Sequence, residues 1–327
     1  MEKSDKPARL KRVSYSRYGY FFIAPFFIVY LLFQFWPLLS TFYYSFFEYT
    51  TRNLKTTVNF CGIQNYRNIL GLTEGERAYF LQYLGNTLVI WLCNFVPQIL
   101  LALLMAAWLT DERYRLPGRG LTKIMVYMPN IITAASISVL FGAMFSQYGP
   151  VTAQLRNWGW INSAYDFMRS KIGTRGLISF ILFWMWYGNT TLLLISGMLG
   201  INPDLYEAAD LDGAGGWHKF TRITLPLLKP ILLYVLVTSS IGGLQMYDIP
   251  ALFNVDITGA LIGLPDDKTT TIAMYIMRLY KSDTGRAAAV CVMLFIITLA
   301  ISMIFFASLR DREDVPKRRN AKGGARK

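Results

Sequence analysis

Charge is scarce in this sequence. Asp, Glu, Lys and Arg make up 16% of its 327 residues, against about a quarter in an ordinary soluble domain. Histidine is nearly absent, with His218 the single example, which argues against a zinc site or a histidine-based triad. Cysteine is limited to Cys61, Cys93 and Cys291, whose spacings match no metal or redox motif. Cys93 and Cys291 fall inside apolar runs and read as small core residues. The phosphate-loop pattern G-x-x-x-x-G-K-[ST] is missing. Gly213–Phe220 is glycine-rich and contains Lys219, but at the wrong spacing. The chain therefore carries no ATPase of its own, and no catalytic or metal-binding residues are assigned to it. A cleavable signal peptide is not evident either, because the first apolar run is too long for one.

What the sequence has in quantity is apolar residues, at 54% of the chain. Five charge-free stretches are long enough to cross a bilayer: Tyr18–Phe47, Ala78–Thr110, Ile124–Leu155, Gly176–Pro203 and Ala287–Leu309. A sixth, Pro230–Tyr247, is shorter but sufficient. Backbone polar groups in lipid need internal partners, so these stretches are expected to be helices, and the alternation of a membrane β-barrel is absent. The fold class is an all-α integral membrane protein with about six transmembrane helices. The expected layout is a basic cytoplasmic N-terminus over 1–18 and a transmembrane domain over 19–309. A basic cytoplasmic tail, expected to be disordered, covers 310–327. The spans are expected near 19–46, 81–110, 124–147, 176–199, 228–248 and 287–309.

The net charge of +13 follows this layout. With both termini placed in the cytoplasm, inner segments hold 21 of the 33 Lys and Arg residues, as the positive-inside rule requires. The basic balance thus belongs to membrane lipid and topology, and not to nucleic acid. Three outer connections remain, near 48–77, 148–175 and 248–286. Within the third, Ile272, Tyr275, Ile276 and Leu279 share one helical face over Thr269–Tyr280. That pattern predicts a short amphipathic helix near the outer membrane surface.

The inner connection between spans 4 and 5, residues 202–226, is the most informative. Asn202 suits an N-cap and Pro203 the first helical position. Asp204 and Glu207 set negative charge where the helix dipole favours it. Leu205, Ala208, Ala209 and Asp212 fall on one small, smooth face. Asp212-Gly213 signals a turn, Gly215-Gly216 adds freedom, and a second short helix is predicted over Trp217–Ile223. The segment resembles the EAA motif of ABC-importer permeases, E-A-A-x-x-D-G-A-x5-F-x-x-I-x-L-P. It matches at Glu207, Ala208, Ala209, Asp212, Gly213, Ala214, Phe220, Ile223, Leu225 and Pro226. The Asp-Gly-Ala and Leu-Pro elements are most similar to the maltose-type carbohydrate permeases. Where that family often carries Gly-Gly-Pro before the last span, this chain has Gly263-Leu264-Pro265.

The resemblance implies a type I ABC importer permease in a bacterial inner membrane. Its partners would be a second homologous permease subunit, two ATP-binding subunits and an extracytoplasmic solute-binding protein. ATP and magnesium would be cofactors of the ATPase partner alone. Glu207, Ala208, Ala209, Asp212, Gly213 and Ala214 would form the ATPase-coupling contact.

Polar groups deep in a span usually face a cavity or a neighbouring helix. Span 4 carries Trp184, Trp186, Tyr187 and Asn189 at mid-depth, where aromatic side chains for stacking and an amide for hydroxyls suit a sugar. Packing against a second subunit would use the same residues. Span 5 contributes Ser239, Gln245 and Tyr247, with Asp248 expected at the outer interface and solvated. Asn94 and Gln98 flank Pro97 and are candidates to satisfy the backbone group that a helical proline frees. The mid-depth positions are uncharged, which favours an uncharged solute over glycerol phosphate, a polyamine or an amino acid. A membrane enzyme lacks a catalytic cluster here, and an ion-driven secondary transporter lacks ionisable residues within its spans.

Overall fold

The computed structural model describes residues 16–52, 55–111, 118–253 and 267–309. The basic N-terminus up to residue 15, the tail 310–327 and Gly263-Leu264-Pro265 lie outside the described residues. The chain opens with α1 (Ser16–Tyr30), a π-helical turn over Leu31–Phe35, and α2 (Trp36–Tyr44). A hairpin follows, β1 (Phe47–Arg52) and β2 (Lys55–Phe60), then α3 (Gln64–Ile69) and the long α4 (Tyr79–Thr110). Next come α5 (Arg119–Ile131), α6 (Ala134–Phe145), α7 (Pro150–Asn157) and α8 (Lys171–Leu199). The 202–226 segment holds α9 (Asp204–Leu211) and α10 (Gly216–Lys219), with α11 (Leu225–Leu227) at its end. The chain finishes with α12 (Lys229–Leu244), α13 (Asp248–Phe253), α14 (Ile272–Tyr280) and α15 (Thr284–Leu309).

Among the described residues, five helical stretches are long and apolar enough to cross a membrane, and a sixth crossing exists if one bent pair counts as a single span. That pair is the stretch expected as one span over 124–147. It breaks after Ile131 and turns by 86°. The cause is local. Pro129 cannot donate to the helical ladder. Ile132 and Thr133 are extended, and the Thr133 hydroxyl accepts from the Ser136 backbone N–H at 3.2 Å, capping a new helix. The first connection also differs from a plain loop. Its β-branched run Thr56-Thr57-Val58 pairs with β1 in an antiparallel hairpin, Tyr49 opposite Val58.

The core sits between α4 and α8, which pack along much of their lengths. Ile90, Ala102, Ala106, Ile178, Ile181 and Leu194 are fully buried there. Without a strong hydrophobic drive in lipid, close van der Waals approach holds such helices together. Gly188 shows how close: a Cβ at that position of α8 would overlap the carbonyl oxygen of Val126 on α5. The first span is the opposite case. None of its apolar window is buried, and it meets the bundle mainly where α2 packs on α15, with Phe42 edge-on to Phe295 at 5.8 Å.

The amphipathic pattern over Thr269–Tyr280 forms α14, but its apolar face turns to protein. Ile272 and Tyr275 are buried against α4 and α15, with Ile276 and Leu279 packed on the same core. The preceding Thr269, Thr270 and Thr271 are fully buried. The Asn86 amide donates to the carbonyls of Asp267 and Thr270, both at 3.0 Å. The Ile272 N–H donates to the Thr87 hydroxyl at 2.9 Å. This backbone is thus satisfied by α4, so the helix is pinned to the bundle.

Candidate functional site

A cavity of about 420 Å³ opens between α4, α8 and α12 and extends to the chain that follows α12. The helical repeat decides what lines it. On α8, Leu182, Trp186, Asn189, Thr190 and Leu193 fall within one stripe and face the space. On α12, Tyr234, Thr238, Ser239, Gly242 and Gly243 do the same. Helix α12 stops at Leu244, so Gln245, Tyr247 and Asp248 leave the helical path and close one end. Of the seven pathway residues expected from sequence, Trp186, Asn189, Ser239, Gln245 and Tyr247 converge here.

Trp184 and Tyr187 do not. Depth along the span singles them out, and depth ignores direction. Trp184 lies about 160° around α8 from Trp186 and Tyr187 about 100°. The Trp184 ring packs on Phe141 at 5.9 Å and Tyr187 on Phe183 at 5.8 Å. Asp248, expected to be solvated, is exposed and also lines the cavity.

Two buried groups complete the wall. The Gln98 amide donates to the Thr190 hydroxyl at 2.8 Å, bridging α4 and α8. The Asn94 amide donates to the Ile90 carbonyl at 3.0 Å. Neither bond goes to the carbonyl of Cys93, the group that Pro97 leaves without its helical donor. The described lining thus combines aliphatic side chains such as Leu182, Leu193 and Ile249 with aromatic rings, amides, hydroxyls and one carboxylate.

At the opposite end of α8 and α12 lies the 202–226 segment. The Asn202 side chain accepts from the Asp204 N–H at 3.1 Å, as its capping role predicts. The end of α9 is a Schellman closure. Ala214 N–H bonds the Ala209 carbonyl at 2.9 Å, Gly213 N–H bonds Asp210 at 3.1 Å, and Gly213 has φ +74°. Glycine is the residue that adopts this conformation without a Cβ penalty. Glu207, Ala208, Asp212 and Gly213 are exposed, while Ala209 and Ala214 are half-buried. The second short helix begins at Gly216, and its π-helical continuation over Phe220–Thr224 leads into α11. Trp217 stands 76% exposed.

Two contacts hold the segment together that sequence reasoning missed. Lys219, itself buried, pairs with Asp210 at 2.5 Å, and the Tyr206 hydroxyl bonds that of Thr224 at 2.8 Å. Both cross the glycine turn. A second cavity of about 370 Å³ lies beside them, lined by Thr110, Asp111, Tyr206, Glu207, Asp210 and Lys219 among others.

Residues 87–313 match the family described as binding-protein-dependent transport system inner membrane component. The chain belongs to that family. Among its relatives, the lactose transport system permease protein LacF of Rhizobium radiobacter is 28% identical over 313 residues, covering 94% of this chain and 100% of LacF. The arabinooligosaccharides transport system permease protein AraP of Bacillus subtilis (strain 168) is 30% identical over 287 residues, covering 87% of this chain and 86% of AraP. The fold resembles a chain of a bacterial ABC transporter involved in the import of the acidic polysaccharide alginate, with a TM-score of 0.71 at 22% identity, covering 90% of this chain and 96% of that one. The family match and the long apolar helices make this chain a multi-pass membrane protein.

Proposed function

We propose that this chain is one of two permease subunits of an ATP-driven sugar importer in a bacterial inner membrane. The observation that carries the reading is the convergence of Trp186, Asn189, Ser239, Gln245 and Tyr247 on one cavity. A pyranose offers an apolar ring face to Trp186 or Tyr247 and hydroxyls to the amides and Ser239. The names of LacF and AraP support a saccharide solute.

In this reading both termini are cytoplasmic, as the distribution of Lys and Arg supports. The 202–226 segment then faces the cytoplasm and seats on an ATP-binding subunit through Glu207, Ala208, Ala209, Asp212, Gly213 and Ala214. ATP and magnesium act in that partner. Its closure swings the helix bundles of the two permeases between inward- and outward-facing states around a solute site near mid-membrane. The family's dependence on a binding protein supports delivery of the solute by an extracytoplasmic protein. The first span, none of whose apolar window is buried, supports a lipid or subunit neighbour on its outward face.

Purification of the tagged chain from its native host in mild detergent tests this. An ATP-binding subunit, a second six-span protein and a solute-binding protein should co-purify. The reconstituted complex should hydrolyse ATP faster when the loaded binding protein is added, and should take up sugar only with ATP. Recovery of the chain alone in several detergents, or uptake indifferent to ATP, would overturn the reading.

A further inference from the structure

Asp248 is the single charged side chain among the described residues lining the central cavity. It opens α13, next to Gln245 and Tyr247 at the end of the cavity beyond α12. The elements packed on α13 are α6 and α8. Helix α6 contains no charged residue, and α8 contains none from 176 to 199. No Lys or Arg is among the residues that line the cavity; Arg175 at the start of α8 donates to the Lys268 carbonyl and to Asn86 instead. Asp248 is exposed to the cavity, and the apolar side chains lining the rest of the wall strengthen its field there.

We infer that Asp248 sets the charge class of the cargo, admitting uncharged saccharides and rejecting acidic ones such as uronates. The inference rests on the sugar reading of the same cavity. A neutral sugar loses nothing at this wall, and its vicinal hydroxyls can donate to the carboxylate. A uronate meets like charge within a few ångströms, which at an effective dielectric of about 20 weakens binding by roughly tenfold or more. The structurally similar alginate transporter imports an acidic polysaccharide on the same fold. The fold is thus neutral on cargo charge, and the lining decides it.

Titration calorimetry on the purified permease–ATPase complex, freed of its solute-binding protein, tests this with disaccharides of one size: lactose and maltose as neutral probes, digalacturonate as the acidic one. The wild-type complex should bind a neutral probe at least about tenfold more tightly than digalacturonate. Asp248→Asn should shrink that ratio about tenfold, and Asp248→Glu should keep it. If the Asn variant does not assemble, raising sodium chloride from about 0.05 to 0.5 M should shrink the wild-type ratio, because an electrostatic filter is screened. Equal wild-type binding of both classes overturns the inference and leaves the sugar reading standing, as does an unchanged ratio in Asp248→Asn. Failure of the wild type to bind any of the three probes removes the sugar reading, and the inference with it.

Discussion

The ammonium of Lys219 sits 2.5 Å from a carboxylate oxygen of Asp210 and joins the two halves of the 202–226 segment across its glycine turn. The lysine is buried while the aspartate side chain is 56% exposed. Breaking a fully buried pair costs about 3–5 kcal/mol, and solvent on the aspartate side reduces this to roughly 1–2 kcal/mol. Lys219→Met should therefore open the segment locally without preventing insertion. Limited proteolysis between residues 202 and 226 should speed up about tenfold. In the reconstituted complex, uptake per ATP should fall. Cleavage at the wild-type rate would show that the pair does not brace the segment.

Gly213 separates strain from docking. Its φ of +74° costs a side chain about 1–2 kcal/mol, yet a Cβ there meets nothing within 4 Å. Gly213→Ala should therefore perturb the turn alone, and Gly213→Asn less, because Asn tolerates the left-handed region. Gly213→Asp adds a charge on the exposed surface proposed to meet the ATPase. It should leave protein level and ATP hydrolysis near wild type while uptake collapses. Normal uptake by Gly213→Asp at normal protein level would end the coupling role of this residue.

How much of this was legible in the sequence depends on the range of the cause. The long apolar runs and the capped turn at Asp212-Gly213 are written locally, since hydrophobicity and a positive φ are properties of a few adjacent residues. The bend at Ile132 had its signals too, in Pro129 and Thr133, but unbroken apolarity over 124–147 outweighed them. On α8 the composition pointed to a polar, aromatic patch, and the 3.6-residue repeat was needed to separate Trp186 and Asn189 from Trp184 and Tyr187. Lys219 and Asp210 are nine residues apart across a turn. No periodicity relates them, so only the folded chain pairs them.

The contact between α5 and α8 predicts a contrast between two glycines of one helix. A Cβ on Gly188 would overlap the Val126 carbonyl, whereas one on Gly176 meets nothing within 4 Å. Gly188→Ala forces backbone apart and should cost about 1–3 kcal/mol. Gly176→Ala should be neutral or stabilising by about 0.4–1 kcal/mol, because alanine narrows the unfolded ensemble. Thermal unfolding of the two variants in the same detergent measures the difference. Equal midpoints would mean that α5 can move away from α8 at no cost.

The bridge from Gln98 to Thr190 predicts unequal effects from its two ends. Thr190 has a second partner, because its hydroxyl also donates to the Trp186 carbonyl at 3.2 Å. Gln98→Leu should therefore leave Thr190 satisfied and cost little. Thr190→Val instead leaves a buried amide without its acceptor, which costs about 1–3 kcal/mol. Removing both polar groups in Gln98→Leu/Thr190→Val should recover much of that loss, giving a coupling energy of roughly 1 kcal/mol in a double-mutant cycle. Solute affinity should follow a different order. In Thr190→Val the released Gln98 amide gains freedom to reach into the cavity, so sugar binding should shift even where stability is restored by added lipid. A cycle with no coupling, together with wild-type sugar affinity in Thr190→Val, would show that the two residues act only as separate packing elements.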